Sequence, residues 1–451
     1  MDKAARLNTA APDALIDRKQ LTDQSRGKRI RPGSATGIGL LTAVAYLVPT
    51  MPGAGYRVGG LAAVVALLVG GLPLRLRAPD LLAFGIAVWA YITQTWATIP
   101  DKVIWTADLD KVLPKAYLYA AAALLFVAVR QVVRTRRQLA VIGVGYLVGC
   151  VVLAYQLVQE ATSGTQATRA DLLDFSVRYS LPGASTNYIA YSMVIGVVLA
   201  LIMIRTLPFA RLPRIALLAC VPLFVVAVIL TSSRGATIAL ALVLAYLGLS
   251  AVARHAVWRG LGVLAPTAVV TVSLGLIPYS LLGWLDGLLG KATGDLSGRL
   301  QIWPYALSTW MDSPWLGNGA GTYQATNPYG IGTHNILLNL GNDLGLVGVL
   351  LFLATVAVTL TRVARRSMML HRLAGVFLVA LLPIWLSGEW ETSPSTWLVL
   401  GLLSSAATVP ATAAAHRARV TPRRRARQGP QGAGLAGSAA RADPAPERVY
   451  A

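Results

Sequence analysis

Three arginines and one histidine stand apart from the other basic residues of this chain. Arg178, Arg234 and Arg299 lie beside apolar segments, away from the Arg clusters, and His334 lies where a polar stretch turns back into an apolar run. A guanidinium offers a planar fork of donors that matches phosphate oxygens. An imidazole, with an ordinary pKa near 6.5, can accept a proton at neutral pH. Gathered by a fold, these groups would make an anion site suited to phosphate with a general base beside it. Each also has a plainer reading: the arginines snorkel to lipid headgroups, and the histidine caps a helix.

Their neighbours extend the pattern. Ser233 precedes Arg234 in the segment ILTSSRGATIAL, and Asn187 opens the apolar run after Arg178. Asn335 and Asn339 follow His334 and offer neutral hydrogen bonds to a hydroxyl-rich ligand. Trp315 and Tyr323 supply aromatic surface of the kind that stacks on sugars or anchors at a membrane interface. Glu389 and Glu391 could orient His334, with Glu391 the guess for that role, balance the arginines, or be solvated. Gly317, Gly319 and Gly321 lack the dinucleotide-binding spacing, and no strand precedes them. They read as a tight turn beside a ligand pocket or another backbone. Asp108 and Asp110 have the form of a metal-binding pair, but Lys102, Lys111 and Lys115 surround them. A solvated charge cluster is the expectation, with no metal and no cofactor.

The elements that must position these residues are apolar. The chain has 451 residues, 55% hydrophobic and only 13% charged, against about 25% charged in an ordinary soluble domain. Apolar runs at 36–52, 58–74, 79–98, 115–133, 138–159, 187–206, 214–232, 235–253, 259–279, 337–361, 372–388 and 395–411 predict an all-α, polytopic membrane protein of about 12 spans. Residues 1–35 and 412–451 read as disordered basic tails. A large external loop is expected at about 280–334, with Ser297 capping an amphipathic surface helix that holds Trp303 and Trp310 at headgroup depth. No cleavable signal peptide is read at the N-terminus. Cys150 and Cys220 fall in different apolar runs, as small buried residues.

The net charge of +21 does not point to nucleic acid, because the arginines cluster between spans and in the tails. With both termini cytoplasmic, alternate loops carry Arg75 and Arg77; Arg130, Arg134, Arg136 and Arg137; Arg205, Arg211 and Arg214; Arg254 and Arg259; Arg362, Arg365, Arg366 and Arg372. This is the positive-inside pattern of a multi-pass protein of the cell membrane. Arg178, Arg234, Arg299 and His334 then fall outside.

At these residues the chain resembles the O-antigen ligase and polymerase superfamily of membrane glycosyltransferases. The resemblance runs over about 170–400, in order: Arg178, Gly183 and Asn187; Ser233, Arg234 and Gly235; Arg299, Trp303, Pro314, Gly317, Gly319, Gly321 and Tyr323; His334 and Asn335; Gly345 and Gly348. The Tyr179–Ser185 segment follows the pattern only loosely, and the central loop is shorter than in many members. The resemblance implies a GT-C-type, metal-independent glycosyltransferase. Its donor would be a polyprenyl-diphosphate-linked glycan on the outer face of the membrane, and its acceptor a glycan, lipid or protein. Arg234 and Arg299, with Arg178, Asn335, Trp303 and Tyr323, would bind the substrate. His334 would be the base, supported by Glu391, Asn187 and Ser233. The rival expectations are a secondary transporter or lipid-linked glycan flippase, and a non-catalytic scaffold. Against the transporter, no ionisable residue is read near the middle of a span.

Overall fold

The computed structural model describes residues 32–70, 74–96, 115–163, 178–207, 210–252 and 299–409. Ser297, Asp108, Asp110, the expected C-terminal tail and the apolar run at 259–279 lie outside them, as does the expected N-terminal tail up to residue 31; residues 32–35, expected in that tail, are helical. The described chain is helical: α1 Pro32–Thr50, α2 Pro52–Gly70, α3 Ala78–Thr93, α4 Lys115–Val132, α5 Arg136–Ser163, α6 Thr186–Thr206, α7 Arg211–Leu230, α8 Arg234–Val252, α9 Arg299–Asp312, α10 Thr322–Thr326, α11 Ile336–Ala364, α12 Met368–Trp385 and α13 Pro394–Thr408. The expected apolar runs other than 259–279 each coincide with one of these helices. Six of them, α4, α5, α6, α7, α11 and α12, are long and apolar enough to cross a membrane. The protein is thus a helical, multi-pass membrane protein. Only helices that satisfy their own backbone can cross lipid this way.

Local chemistry fixes the helix starts. Proline opens α1, α2 and α13, where a missing N–H costs nothing. The Ser185 side chain accepts from Tyr188 N to begin α6, and Ser367 accepts from Leu370 N to begin α12. The interior is built on α4, α6 and α13: 83% of the apolar stretch of α6 is buried, against 22% in the peripheral α7. α13 packs on α4, and α11 on α3 and α12. Cys150 and Cys220 are free, on α5 and α7.

α11 is broken at Gly345, whose φ of 65° and ψ of −169° belong to glycine. The glycine turn heals the break. An unbroken helix would join Leu346 N to Asn342 O. Here Leu346 N donates to Pro314 O at 2.9 Å, and Asn342 O accepts from Asn318 N at 2.6 Å. Leu344 O accepts from Trp89 Nε1 at 2.8 Å. Gly317, at φ 77°, lies so close that a Cβ on it would sit 2.4 Å from Gly345 N. Of the two readings of the glycine turn, the second is the one observed: its neighbour is another backbone.

The helix after the expected Ser297 cap begins at Arg299, but its tryptophans do not face lipid. Trp303 and Trp310 are buried. An indole N–H removed from water needs an acceptor; Trp303 Nε1 donates to Thr333 O at 3.0 Å and Trp310 Nε1 to Pro314 O at 3.1 Å. Gly341 of α11 leaves the space that the Trp310 ring fills. Exposed apolar residues of this region include Met311, Trp315 and Leu316 instead.

Candidate functional site

The loop between α12 and α13, residues 386–393, is where the chemistry-bearing residues meet. α9 approaches it with Arg299 and Trp303, one helical turn apart and so on one face. Arg299 Nη2 donates to Ser387 O at 3.1 Å, while Trp303 holds Thr333 on the way into α11. Arg234 opens α8. Beside it, a Cβ on Gly235 would lie 2.4 Å from Ser387 Oγ, so the absent side chain lets the start of α8 abut the same serine. The Arg178 segment is tied to the end of α7 by Tyr179 N donating to Leu230 O at 3.2 Å. Ser233 Oγ donates to Asn187 Oδ1 at 3.3 Å, joining α6 to α8.

The three arginines share one electrostatic neighbourhood. Arg299 is pulled down to about 10, mainly by burial, then by Arg234, then by Arg178. It remains cationic at neutral pH. Positive charge so concentrated and partly desolvated favours an anion. His334 is pushed below the usual imidazole range, chiefly by burial; Glu389 opposes the shift and Arg299 adds to it. A neutral imidazole is the form that can accept a proton.

Two backbones in the site are strained. Among the described residues, the non-glycine positions with positive φ are Ser232 at 48° and His334 at 51°. One immediately precedes the Ser233–Arg234 pair, and the other is the histidine itself. Such conformations cost about 1–3 kcal/mol each and cluster at functional sites.

Glu389, rather than Glu391, lies against the His334 loop. Glu389 Oε1 accepts from His334 N at 3.5 Å. Glu391 is fully buried in a network behind it. Lys115 Nζ lies 3.1 Å from Glu391 Oε1 and 3.7 Å from Glu389 Oε2. Asn339 Nδ2 donates to Glu391 Oε1 at 2.7 Å, and Tyr119 donates to Asp343 Oδ2 at 3.0 Å. Gly321 N donates to Asp343 Oδ1 at 2.9 Å, tying the glycine turn to the network. Burial raises the Glu391 carboxyl above its ordinary range, with Lys115 opposing.

Several expectations change accordingly. Asn335 is buried, and its side chain caps α11 by accepting from Leu337 N and Leu338 N, so this oxygen is committed to the helix. Trp303 is 3% exposed and Tyr323 1%, so Tyr323 is too buried to stack on a sugar, whereas Trp315 is exposed. The exposed rings beside Tyr323 are Tyr305 and Tyr329, with Tyr305 centred 6.3 Å from Tyr323 and 5.9 Å from Tyr329. Lys115, expected in a solvated cluster, is buried. Asp343 is a buried ionisable group about a quarter of the way into α11, short of the middle of the span, where none was expected. Asn339, Asn342 and Asp343, polar residues in an apolar helix, were the sequence signal for it.

A cavity of about 810 Å³ lies beside the hairpin that follows Arg178. Gln156, Gln159, Glu160 and Thr162 line it with Leu181 and Pro182. No sequence-predicted site residue lines it.

Residues 218–353 match the family model described as O-Antigen ligase. The matched stretch holds Ser233, Arg234, Arg299, Trp303, Tyr323, His334 and Asn335, and leaves out Arg178, Asn187, Glu389 and Glu391. No curated protein matches the chain.

Proposed function

We propose that this O-antigen ligase-like protein transfers or polymerises a polyprenyl-diphosphate-linked glycan on the outer face of the cytoplasmic membrane. Both termini are cytoplasmic, about 12 spans cross the bilayer, and the fold is of the GT-C type. The acceptor hydroxyl oxygen bonds to the anomeric carbon while the carbon–oxygen bond to the diphosphate breaks. His334 takes the hydroxyl proton. Polyprenyl diphosphate leaves with the electron pair, and Arg234, Arg299 and Arg178 stabilise the charge that grows on it. No metal is needed in this scheme, because three guanidiniums take the role of the cation. The acceptor is a growing glycan or another hydroxyl-bearing molecule, and the polar cavity behind the Arg178 hairpin offers room for saccharide units.

One observation carries this reading: Arg234 and Arg178, from separate segments, both act on Arg299, which in turn acts on a histidine of lowered basicity. The test is to replace His334 or Arg234 by Ala and follow the lipid-linked precursor. Precursor should accumulate and product disappear. Unchanged glycan at normal protein level sinks the mechanism.

The buried Lys115–Glu391–Asp343 network favours a second reading, a cation-coupled transporter or flippase, because such groups mark ion pathways. Proton- or sodium-driven uptake into proteoliposomes, lost in Asp343→Asn, would support it over glycosyl transfer.

A further inference from the structure

The end of the helix bundle opposite His334 carries a second concentration of positive charge. Lys115 and Arg130 lie at the two ends of α4, 15 residues or about 22 Å apart along its axis. Around Arg130 is a cavity of about 310 Å³, lined by Arg77, Arg130, Arg362, Arg365 and Arg366 with the hydroxyl residue Ser404. A smaller cavity of about 70 Å³ adjoins it, adding Arg75 and Arg134. The arginines come from the α2–α3 loop, the end of α4 and the end of α11.

Arg130 is built into this site. Its side chain is only 7% exposed, ion-paired to the buried Asp80, and its Nε donates to Ser404 Oγ at 2.9 Å. Asp80 also accepts from Arg77 N at 2.9 Å and from Gln131 Nε2 at 3.4 Å. That carboxylate is therefore spent. Among the described residues, Arg77, Arg362, Arg365 and Arg366 have no carboxylate within ion-pair distance. Topology signals need only exposed charge in loops, and a helix C-terminus favours a cation in its last turn. Neither accounts for four exposed arginines ringing one cavity with a buried fifth at its wall.

We propose that this cavity binds the phosphate of an anionic phospholipid headgroup from the inner leaflet. Basic pockets between membrane helices on the cytoplasmic side take such headgroups, and the guanidinium forks suit phosphate oxygens. The proposal rests on the orientation given above, and not on the catalytic reading.

The test is native mass spectrometry of the full-length protein in detergent with mixed phosphatidylglycerol, cardiolipin and phosphatidylcholine. The wild type should retain an anionic lipid in preference to phosphatidylcholine. Arg362→Gln/Arg365→Gln/Arg366→Gln should lower that retention at least about tenfold. Arg205→Gln/Arg211→Gln/Arg214→Gln removes the same charge from exposed positions at the same end and should leave it unchanged. Excess inorganic phosphate should not displace the lipid. Equal losses in the two triple variants, equal retention of phosphatidylcholine by the wild type, or displacement by inorganic phosphate each overturns the proposal. Thermal stabilisation of the wild type by phosphatidylglycerol but not phosphatidylcholine checks it without any variant; equal stabilisation counts against it.

Discussion

The Glu389 carboxylate rests on the α-carbon of Gly332. A Cβ built on Gly332 would lie 1.3 Å from Glu389 Oε1. Gly332 is two residues before His334, so the absence of a side chain there lets the carboxylate reach the His334 backbone. Gly332→Ala should expel the carboxylate without touching any charged group. The expected outcome is a loss of transfer activity of about tenfold or more, the scale of a displaced positioning group, with the protein still folded. Activity within twofold of wild type would show that Glu389 does not position the histidine loop.

The pH profile offers a second check, with a definite sign. His334 is held below its ordinary pKa by burial and by Arg299, and Glu389 works the other way. A base is active when neutral, so kcat/KM should rise with pH through a midpoint below about 6.5 and then level off. Glu389→Gln removes the charge that raises the pKa and should move this limb to lower pH. Arg299→Gln removes a charge that lowers it and should move the limb up. A wild-type midpoint above the ordinary imidazole value would show that burial and Arg299 do not hold His334 down, or that another group sets this limb.

The helices were legible in the sequence because a membrane helix is a local property of length and apolarity, and the described helices start within a few residues of the apolar runs, six of them long and apolar enough to cross a membrane. Arg234 and Arg299 stood out because they interrupt the expected alternation of basic loops, and His334 because it was the one histidine expected outside; that they are neighbours comes from the structure. Pairings across the chain were not legible. Lys115 meets Glu391, and Asp343 meets Tyr119, only after α4, α11 and the α12–α13 loop are packed. Nor can spacing say which side of an amphipathic helix faces lipid. Trp303 and Trp310 fit the interface as well as the core, and the carbonyls of Thr333 and Pro314 decide it.

Lys115 is the one cation observed against two carboxylates of the 386–393 loop, among the described residues. Replacing one partner of a buried pair strands the other, at a cost of roughly 3–5 kcal/mol. Lys115→Met should therefore lower the thermal unfolding temperature sharply. Adding Glu391→Gln removes the stranded charge and should restore part of the loss. Additive effects of the two substitutions would mean that the pair is not coupled.

The break in α11 ties the glycine turn to the network around Glu391, because Gly345, Gly317 and Asp343 lie in one continuous contact. A Cβ on Gly345 would sit 2.2 Å from Trp315 O and 2.5 Å from Gly317 N. The backbone angles add strain of about 1–3 kcal/mol for any other residue. Gly345→Ala should either straighten α11, freeing Leu346 N to bond Asn342 O, or push the turn away. Both outcomes release Pro314 O and Asn318 N, and with the turn they loosen the Gly321 N to Asp343 bond. Amide hydrogen exchange at Asn318, Gly321 and Leu346 distinguishes them. In the straightened helix Leu346 stays protected while Asn318 and Gly321 exchange faster; in the displaced turn all three do. Unchanged protection at all three positions would show that the turn does not depend on the break.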